Sequence, residues 1–165
     1  QCLYNGTIKN VLYSRTTIPC DGDLGFLPGD ISEKCAPYFQ PALEYWHYFI
    51  GEAKTEELIK RNVIKFFPTE MIKGFTHNDT LMILDEAQNV TERQMKLFLT
   101  RMGKGSKILV LGDTRQSDIG RNGFSFCLNN MGNKEGVGIV TLGREDIMRH
   151  PLIAHVIEIF EKHGI

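Results

Sequence analysis

Two acidic residues directly follow an apolar run and are the first candidates for chemistry in this sequence. Residues 81–84, Leu-Met-Ile-Leu, lead straight into Asp85 and Glu86. A continuous apolar run of this kind is typical of a parallel strand that is buried on both faces. Because open α/β sheets bind ligands beyond the carboxyl ends of their strands, these carboxylates could hold Mg²⁺ and polarise a water for attack on a phosphate.

A second apolar run ends in the same way. Residues 108–111, Ile-Leu-Val-Leu, precede Gly112 and Asp113, and Gln116 lies three residues beyond that acid. Gln88 follows the first pair of acids just as closely. The two strand ends together predict a site for nucleotide hydrolysis.

One expected part of such a site is absent from the sequence. The loop G-x-x-x-x-G-K-[ST], which usually cradles the phosphates, occurs nowhere in the 165 residues. A plainer interpretation also stays open, in which Asp85 and Glu86 are two surface acids after a core strand, because acids serve as ordinary helix caps as well.

The composition is that of one ordinary domain with a sizeable core. The 165 residues are 42% hydrophobic and carry a formal net charge of -1. This balance argues against a strong, indiscriminate grip on nucleic acid but permits a local basic patch. No apolar run is long enough to span a membrane. The four cysteines form no C-x-x-C pair, so reduced thiols of a cytosolic protein are the simplest interpretation.

The elements that must position the acids alternate between strands and helices. Strands are predicted at residues 8–14, 63–67, 81–85, 107–111 and 137–142. Helices are predicted at residues 31–50, 55–61, 91–102 and 123–131, and from Pro151 onward, with a loop at residues 16–29. Alternation of this kind predicts an α/β fold in which a mainly parallel sheet is flanked by helices on both faces.

Local signals mark several helix boundaries. Thr91 and Gln94 have the spacing of a capping box, and Gly103 is predicted to stop the helix that they begin. Pro37 and Pro41 are predicted to interrupt the helix at residues 31–50, because proline removes a backbone donor from a helix interior.

Seven segments, taken in order, resemble one protein family. They are residues 24–30 (Leu-Gly-Phe-Leu-Pro-Gly-Asp), 73–78, 83–89 (Ile-Leu-Asp-Glu-Ala-Gln-Asn), 94–101, 105–107, 112–113 and 149–152. Over nearly its whole length the chain resembles the PhoH-like family of ATPases, which are related to superfamily-one helicase motors. The resemblance implies a P-loop NTPase core of the RecA/RecD type and a single domain over residues 1–165.

The resemblance also implies a front end that these residues do not contain. Family members carry a strand, the P-loop and a helix before the segment that matches Gln1. Residues 1–5 look like the last turn of that helix, with Gly6 as its stop. The chain also opens with glutamine and not methionine. We therefore expect a domain truncated at its amino terminus, without the first strand, the P-loop and most of the following helix.

The resemblance assigns roles to the strand-end residues. The equivalent of Asp85 supports Mg²⁺, and that of Glu86 polarises the attacking water. The equivalents of Gly112, Asp113 and Gln116 lie beside the γ-phosphate. The implied cofactors are therefore ATP and Mg²⁺.

Three arginines are further candidates for contact with phosphate. Arg15 closes the first predicted strand, and Arg121 matches a family arginine, although both are equally well explained as solvated surface residues. Arg149 precedes the last helix, where related motors place an arginine that reaches the γ-phosphate from the same chain or a ring neighbour. Its plainer role is a helix-start residue bonded to nearby carbonyls. Arg115 and Gly120 depart from the family, which has threonine and proline there.

The function implied by the resemblance is ATP binding and hydrolysis, coupled to RNA or another single-stranded nucleic acid. The implied protein is cytoplasmic and forms a homo-oligomeric ring such as a hexamer. Without a P-loop, we expect the isolated chain to be inactive. Two alternatives stay open: a Mg²⁺-dependent phosphohydrolase or nuclease that uses Asp85, Glu86 and Asp113, and a non-catalytic module that binds nucleic acid or another subunit.

Overall fold

A parallel sheet organises the first of the two units into which the chain divides, Gln1–Asn130 and Met131–Ile165. The computed structural model describes residues 2–3, 5–16, 31–143, 146, 148 and 150–163. The sheet has the order β2-β1-β3-β4, with β1 at Asn10–Arg15, β2 at Ile64–Pro68, β3 at Thr80–Asp85 and β4 at Lys107–Val110. The helices are α1 (Ile31–Ile50), α2 (Glu52–Lys60), α3 (Glu92–Leu99), α4 (Gly123–Met131) and α5 (Pro151–Lys162).

All three strand pairs are parallel, and helices pack on both faces of the sheet. On one face, Met82 of β3 is completely buried and belongs to the same core as Phe98 of α3. On the other face, Tyr13 of β1 packs with Phe39 of α1. Burial on two sides explains why residues 81–84 are continuously apolar. The predicted α/β fold is confirmed, and it is consistent with a P-loop NTPase core.

The start of α3 follows its sequence signal closely. The backbone N–H of Thr91 donates to Gln94 Oε1 at 2.9 Å, and the N–H of Gln94 donates to Thr91 Oγ1 at 3.3 Å. The helix ends at Leu99, about three residues earlier than predicted. Gly103 is needed for a different reason, because a Cβ there would lie 2.5 Å from the carbonyl oxygen of His77.

Pro37 and Pro41 do not interrupt α1, contrary to the prediction. The helix runs without a break from Ile31 to Ile50 and includes both residues. Both prolines are exposed, while Phe39 and Ala42 of the same helix are buried against the sheet. We infer that this burial outweighs the cost of about 3 kcal/mol that a proline imposes on a helix interior.

The predicted strand at residues 137–142 is wrong. These described residues form neither helix nor strand, and Val140 and Leu142 are largely exposed. A strand exists only where a neighbouring strand completes its ladder of hydrogen bonds, and an apolar pattern contains no information on that neighbour.

The remaining boundaries agree with the sequence to within a few residues. Helix α4 spans the predicted residues, and α5 begins at Pro151. The predicted last turn of a helix at residues 1–5 is not seen, because the described residues 2–3 and 5–6 form isolated turns. Gly6 nevertheless has the positive φ of 72° expected of a residue that ends a helix. The predicted loop lies outside the described residues from position 17 onward. None of the helices described here is both long and apolar enough to cross a membrane.

Candidate active site

The charged residues predicted for the site meet at the carboxyl edge of the sheet. Asp85 is the last residue of β3, and the register places it opposite Arg15, the last residue of β1. Glu86 follows immediately, and Asp113 follows the end of β4, the strand beside β3. The structure therefore brings together two strand ends that are adjacent in the sheet, as the sequence predicted.

Asp85 is held by a tyrosine from the neighbouring strand. The hydroxyl of Tyr13 donates a hydrogen bond to Asp85 Oδ2. Only 7% of Tyr13 is exposed, and its ring packs with the rings of Phe39 and Phe66. Burial, together with the hydrogen bond to Asp85, raises the pKa of Tyr13 well above its usual value. The phenol therefore keeps its proton and acts as the donor at neutral pH.

Glu86 is held by two side chains and has an unusual backbone conformation. Arg15 Nη2 lies 3.2 Å from Glu86 Oε1, and Gln88 Nε2 donates to Oε2 at 2.6 Å. The φ of Glu86 is 51° and its ψ is 41°, which is left-handed. This conformation costs a residue other than glycine about 1–2 kcal/mol, and such strain is often found at functional sites. A bond of 2.9 Å from the N–H of Ala87 to the carbonyl of Leu111 fixes the turn.

Gln88 links the two strand ends. The residue is 1% exposed, and its Oε1 accepts a hydrogen bond of 3.1 Å from the backbone N–H of Asp113. The other end of the same amide contacts Glu86, as described above. Gly112 makes room for this bridge, because a Cβ at that position would lie 2.9 Å from Gln88 Oε1 and 3.0 Å from the ring of Phe124.

The loop after β4 holds its own side chains together. Gln116 Nε2 donates to Asp113 Oδ2 at 3.0 Å, and the backbone N–H of Arg115 donates to Asp113 Oδ1 at 2.9 Å. Asp113 and Gln116 are thus neighbours, as a shared position near a phosphate requires. Arg115 and Gln116 are both exposed.

Arg121 pairs with an acid other than those of this edge. Arg121 forms hydrogen bonds with both oxygens of Glu92, the first residue of α3, at 2.6 and 3.3 Å. Its side chain is 84% exposed, and the contact with Glu92 raises the pKa of its guanidinium. Arg149 lies outside the described residues, so its predicted role stays a prediction.

Sequence reasoning assigned no role to Tyr13, and it used Gln88 only as a polar residue close behind the two acids and as part of the family resemblance. Tyr13 lies inside a predicted strand, where an aromatic residue is expected as core. Tyr13 contacts Asp85, 72 positions along the chain, and Gln88 contacts the N–H of Asp113, 25 positions along, so no local pattern reveals these two contacts. The sequence signal that could have indicated a role for Gln88 was a polar side chain only two residues after Glu86.

Comparison with known proteins places this chain among relatives of one family. The profile described as PhoH-like protein matches residues 1–161. The PhoH-like protein of Bacillus subtilis (strain 168) is 39% identical over 98% of this chain and 52% of its own length. Protein PhoH of Escherichia coli (strain K12) is 38% identical over 92% of this chain and 44% of its own length. The PhoH-like protein of Synechocystis is 34% identical, over 98% and 50% respectively. The chain thus spans about half the length of these curated relatives, and it belongs to the PhoH-like family.

Proposed function

We propose that this chain carries the catalytic acids of an ATPase coupled to RNA or another single-stranded nucleic acid. One observation carries the proposal. Asp85 ends β3, a strand with neighbours on both sides, and Glu86 follows it, at the edge where parallel sheets bind ligands. Membership of the PhoH-like family supports nucleotide binding at this edge. The activity is proposed for a protein in which a P-loop accompanies these residues.

In this proposal Asp85 holds Mg²⁺, directly or through water. Mg²⁺ sites that serve phosphoryl transfer use one or two carboxylates, with waters and substrate phosphates as the other ligands. The described residues contain no group of three or more acidic, histidine or cysteine side chains arranged to hold a metal. One positioned carboxylate therefore fits a single Mg²⁺ with water and phosphate ligands better than it fits a nuclease with two metals. When bound, Mg²⁺ offsets negative charge on the phosphate oxygens.

Glu86 takes the role of general base. Its carboxylate projects from a turn that is fixed by Arg15 and Gln88. From there it accepts a proton from a water whose oxygen attacks the γ-phosphorus, while the bond from phosphorus to the leaving oxygen breaks. Asp113 and Gln116 are joined to Glu86 through the amide of Gln88. In this proposal they lie next to the transferred phosphate, where Gln116 donates to a phosphate oxygen and Asp113 accepts from the attacking water.

The separate roles of Asp85 and Glu86 can be tested in a longer protein that contains a P-loop. We define the P-loop fusion as this chain preceded, at Gln1, by the strand, P-loop and helix of a family member. In the P-loop fusion, Glu86→Gln keeps the shape of the side chain and removes the base. We expect turnover of ATP to fall by ~10²–10⁴-fold, with ATP affinity little changed. Asp85→Asn should instead weaken binding that depends on Mg²⁺. Phosphate release and equilibrium nucleotide binding, each with and without RNA, measure the two effects.

Glu57→Gln is the matched control for these variants. Glu57 is an acid of α2 whose carboxylate pairs with Lys54 and Arg61, so its substitution should leave turnover unchanged. If Glu86→Gln raised the dissociation constant for ATP and spared turnover, the roles of the two acids would be wrongly assigned. If the chain cleaved RNA with Mg²⁺ and without any added nucleotide, the ATPase proposal would be rejected in favour of a nuclease.

A further inference from the structure

The contact between Tyr13 and Asp85 has a geometry that local strand packing does not require. Tyr13 pairs in register with Ile83, two residues before Asp85 on the adjacent strand. Because side chains alternate between faces, Tyr13 and Asp85 project from the same face of the sheet. The phenol ring extends toward the carboxyl edge, and its hydroxyl reaches Asp85 Oδ2.

We propose that Tyr13 is a positioning residue for the metal-binding carboxylate, so that Asp85 presents its second oxygen to Mg²⁺ in one fixed orientation. The inference rests on the proposed function of Asp85 and adds a residue to it. At neutral pH a phenol can donate to a carboxylate, which only accepts. The bond therefore occupies Oδ2, and Oδ1 takes no part in it.

The tyrosine itself is held in place by an aromatic cluster. Its ring centroid lies 6.1 Å from that of Phe39 in α1 and 5.8 Å from that of Phe66 in β2, and the latter two rings are 5.4 Å apart. Rotation of the ring about its own axis leaves the hydroxyl oxygen in place. Packing of the ring therefore fixes the position of the donor, and the donor fixes the carboxylate.

Mg²⁺ makes such positioning useful. The ion demands near-ideal octahedral geometry, while a carboxylate at the end of a strand has two rotatable side-chain bonds. Partners that orient a metal ligand from behind change metal affinity or activity by about 10–100-fold when they are removed. The other acids of the edge have partners of a different kind, since Glu86 contacts a guanidinium and an amide.

The test uses Tyr13→Phe, which removes one oxygen and keeps the ring. The 165-residue chain, labelled with ¹³C at aspartate carboxyl carbons, is titrated with Mn²⁺ alone as a paramagnetic probe. In the wild-type chain we expect the Asp85 signal to broaden at lower Mn²⁺ concentration than that of Asp113. In Tyr13→Phe, about tenfold more Mn²⁺ should be needed for the same broadening of the Asp85 signal. The Asp85 resonance should also shift before any metal is added.

Tyr48→Phe is the matched control, because it removes the same hydroxyl oxygen from a tyrosine that is 82% exposed. If Tyr48→Phe and Tyr13→Phe changed the Mn²⁺ titration equally, the effect would not come from the contact with Asp85 and the inference would fail. It would fail likewise if Tyr13→Phe left the Asp85 signal and its Mn²⁺ response unaltered, or if the Asp85 signal of the wild-type chain showed no preference over that of Asp113. Urea unfolding confirms that each variant is folded.

The outcome is independent of turnover. Loss of ATP hydrolysis in Glu86→Gln of the P-loop fusion tests the proposed function, whereas the Mn²⁺ response of the chain tests Tyr13. If Glu86→Gln abolished turnover but Tyr13→Phe left the Mn²⁺ response unchanged, the proposed ATPase function would stand and Tyr13 would not be needed to position Asp85. In Asp85→Asn, which has no Asp85 carboxyl signal, adding Tyr13→Phe should leave the Mn²⁺ broadening of the Asp113 signal unchanged, because the two residues act through one contact.

Discussion

The ends of β3 and β4 have the same sequence pattern and are held in place in different ways. Each strand is an apolar run that leads into an acid. After β3, Asp85 and Glu86 contact Tyr13 and Arg15, which lie 72 and 71 positions away in the chain. After β4, the side chain of Asp113 contacts residues two and three positions away.

This difference separates two acids held by a neighbouring strand from an acid whose side chain is held by its own loop. Packing of β1 against β3 determines where Asp85 and Glu86 point, because Tyr13 and Arg15 belong to β1. The side chain of Asp113 has local partners, and its loop joins the rest of the edge through hydrogen bonds to Gln88 and Asn89. Substitutions behind β3 should therefore alter stability and geometry together, whereas those in the exposed part of the β4 loop should alter neither much.

Gln88→Ala should have the largest effect on stability, because it removes the bridge between the two strand ends. The side chain is 1% exposed and makes hydrogen bonds to Glu86 and to the N–H of Asp113. Its loss leaves a cavity and an unpaired backbone donor, and we expect the free energy of unfolding to fall by roughly 2–4 kcal/mol. Urea unfolding of the chain, followed by circular dichroism, measures the change.

Gln116→Ala is the control within the β4 loop. That side chain is exposed and bonds to Asp113 three residues away, so its removal should change stability by about 0.5 kcal/mol or less. Equal effects of the two substitutions would remove the distinction between the two strand ends.

Gly112→Ala should have the next largest effect. The added methyl carbon would lie 2.9 Å from Gln88 Oε1 and 3.0 Å from the ring of Phe124, so the bridge or the ring must move. Crowding of this kind typically destabilises by about 1–3 kcal/mol. The matched control is Gly120→Ala, because no atom lies within 4 Å of a Cβ at that position. If both variants unfolded at the same urea concentration, Gly112 would not be required for close approach.

The parts of the molecule that sequence predicted are those determined by nearby residues. A few adjacent residues were enough to predict the acids at the end of β3 and the capping box of Thr91 and Gln94. The structure confirms that Asp85 ends the strand and that the capping box begins α3. The strand-end rule then located the edge without knowledge of the neighbouring strands. The roles assigned to these acids stay predictions until activity is measured.

The parts that sequence did not predict depend on partners distant in the chain. Tyr13 was indistinguishable from a core aromatic residue, because its acceptor is 72 positions away. The strand predicted at residues 137–142 failed for the same reason, since an apolar segment becomes a strand only beside another strand. At Pro37 the tertiary contacts act in the opposite direction. Burial of Phe39 and Ala42 preserves a helix that the low helix propensity of proline would otherwise interrupt.

Arg15→Gln should have an effect as small as that of Gln116→Ala, and it tests whether an ion pair helps to fix the turn at Glu86. Arg15 Nη2 lies 3.2 Å from Glu86 Oε1, but the two side chains are 26% and 37% exposed. Solvent screens such a pair, so we expect it to contribute about 0.5 kcal/mol or less to stability. The difference in free energy of unfolding between wild type and variant should shrink further in 0.5 M salt, where the Debye length is roughly 4–5 Å.

Lys9→Gln, which breaks the more exposed ion pair with Asp79, gives the reference for a surface contact. A loss several times larger in Arg15→Gln than in Lys9→Gln, and insensitive to salt, would show that Arg15 fixes the strained turn at Glu86. In that case the turn at Glu86 would depend on Arg15 as much as on the backbone bond of Ala87 and the amide of Gln88.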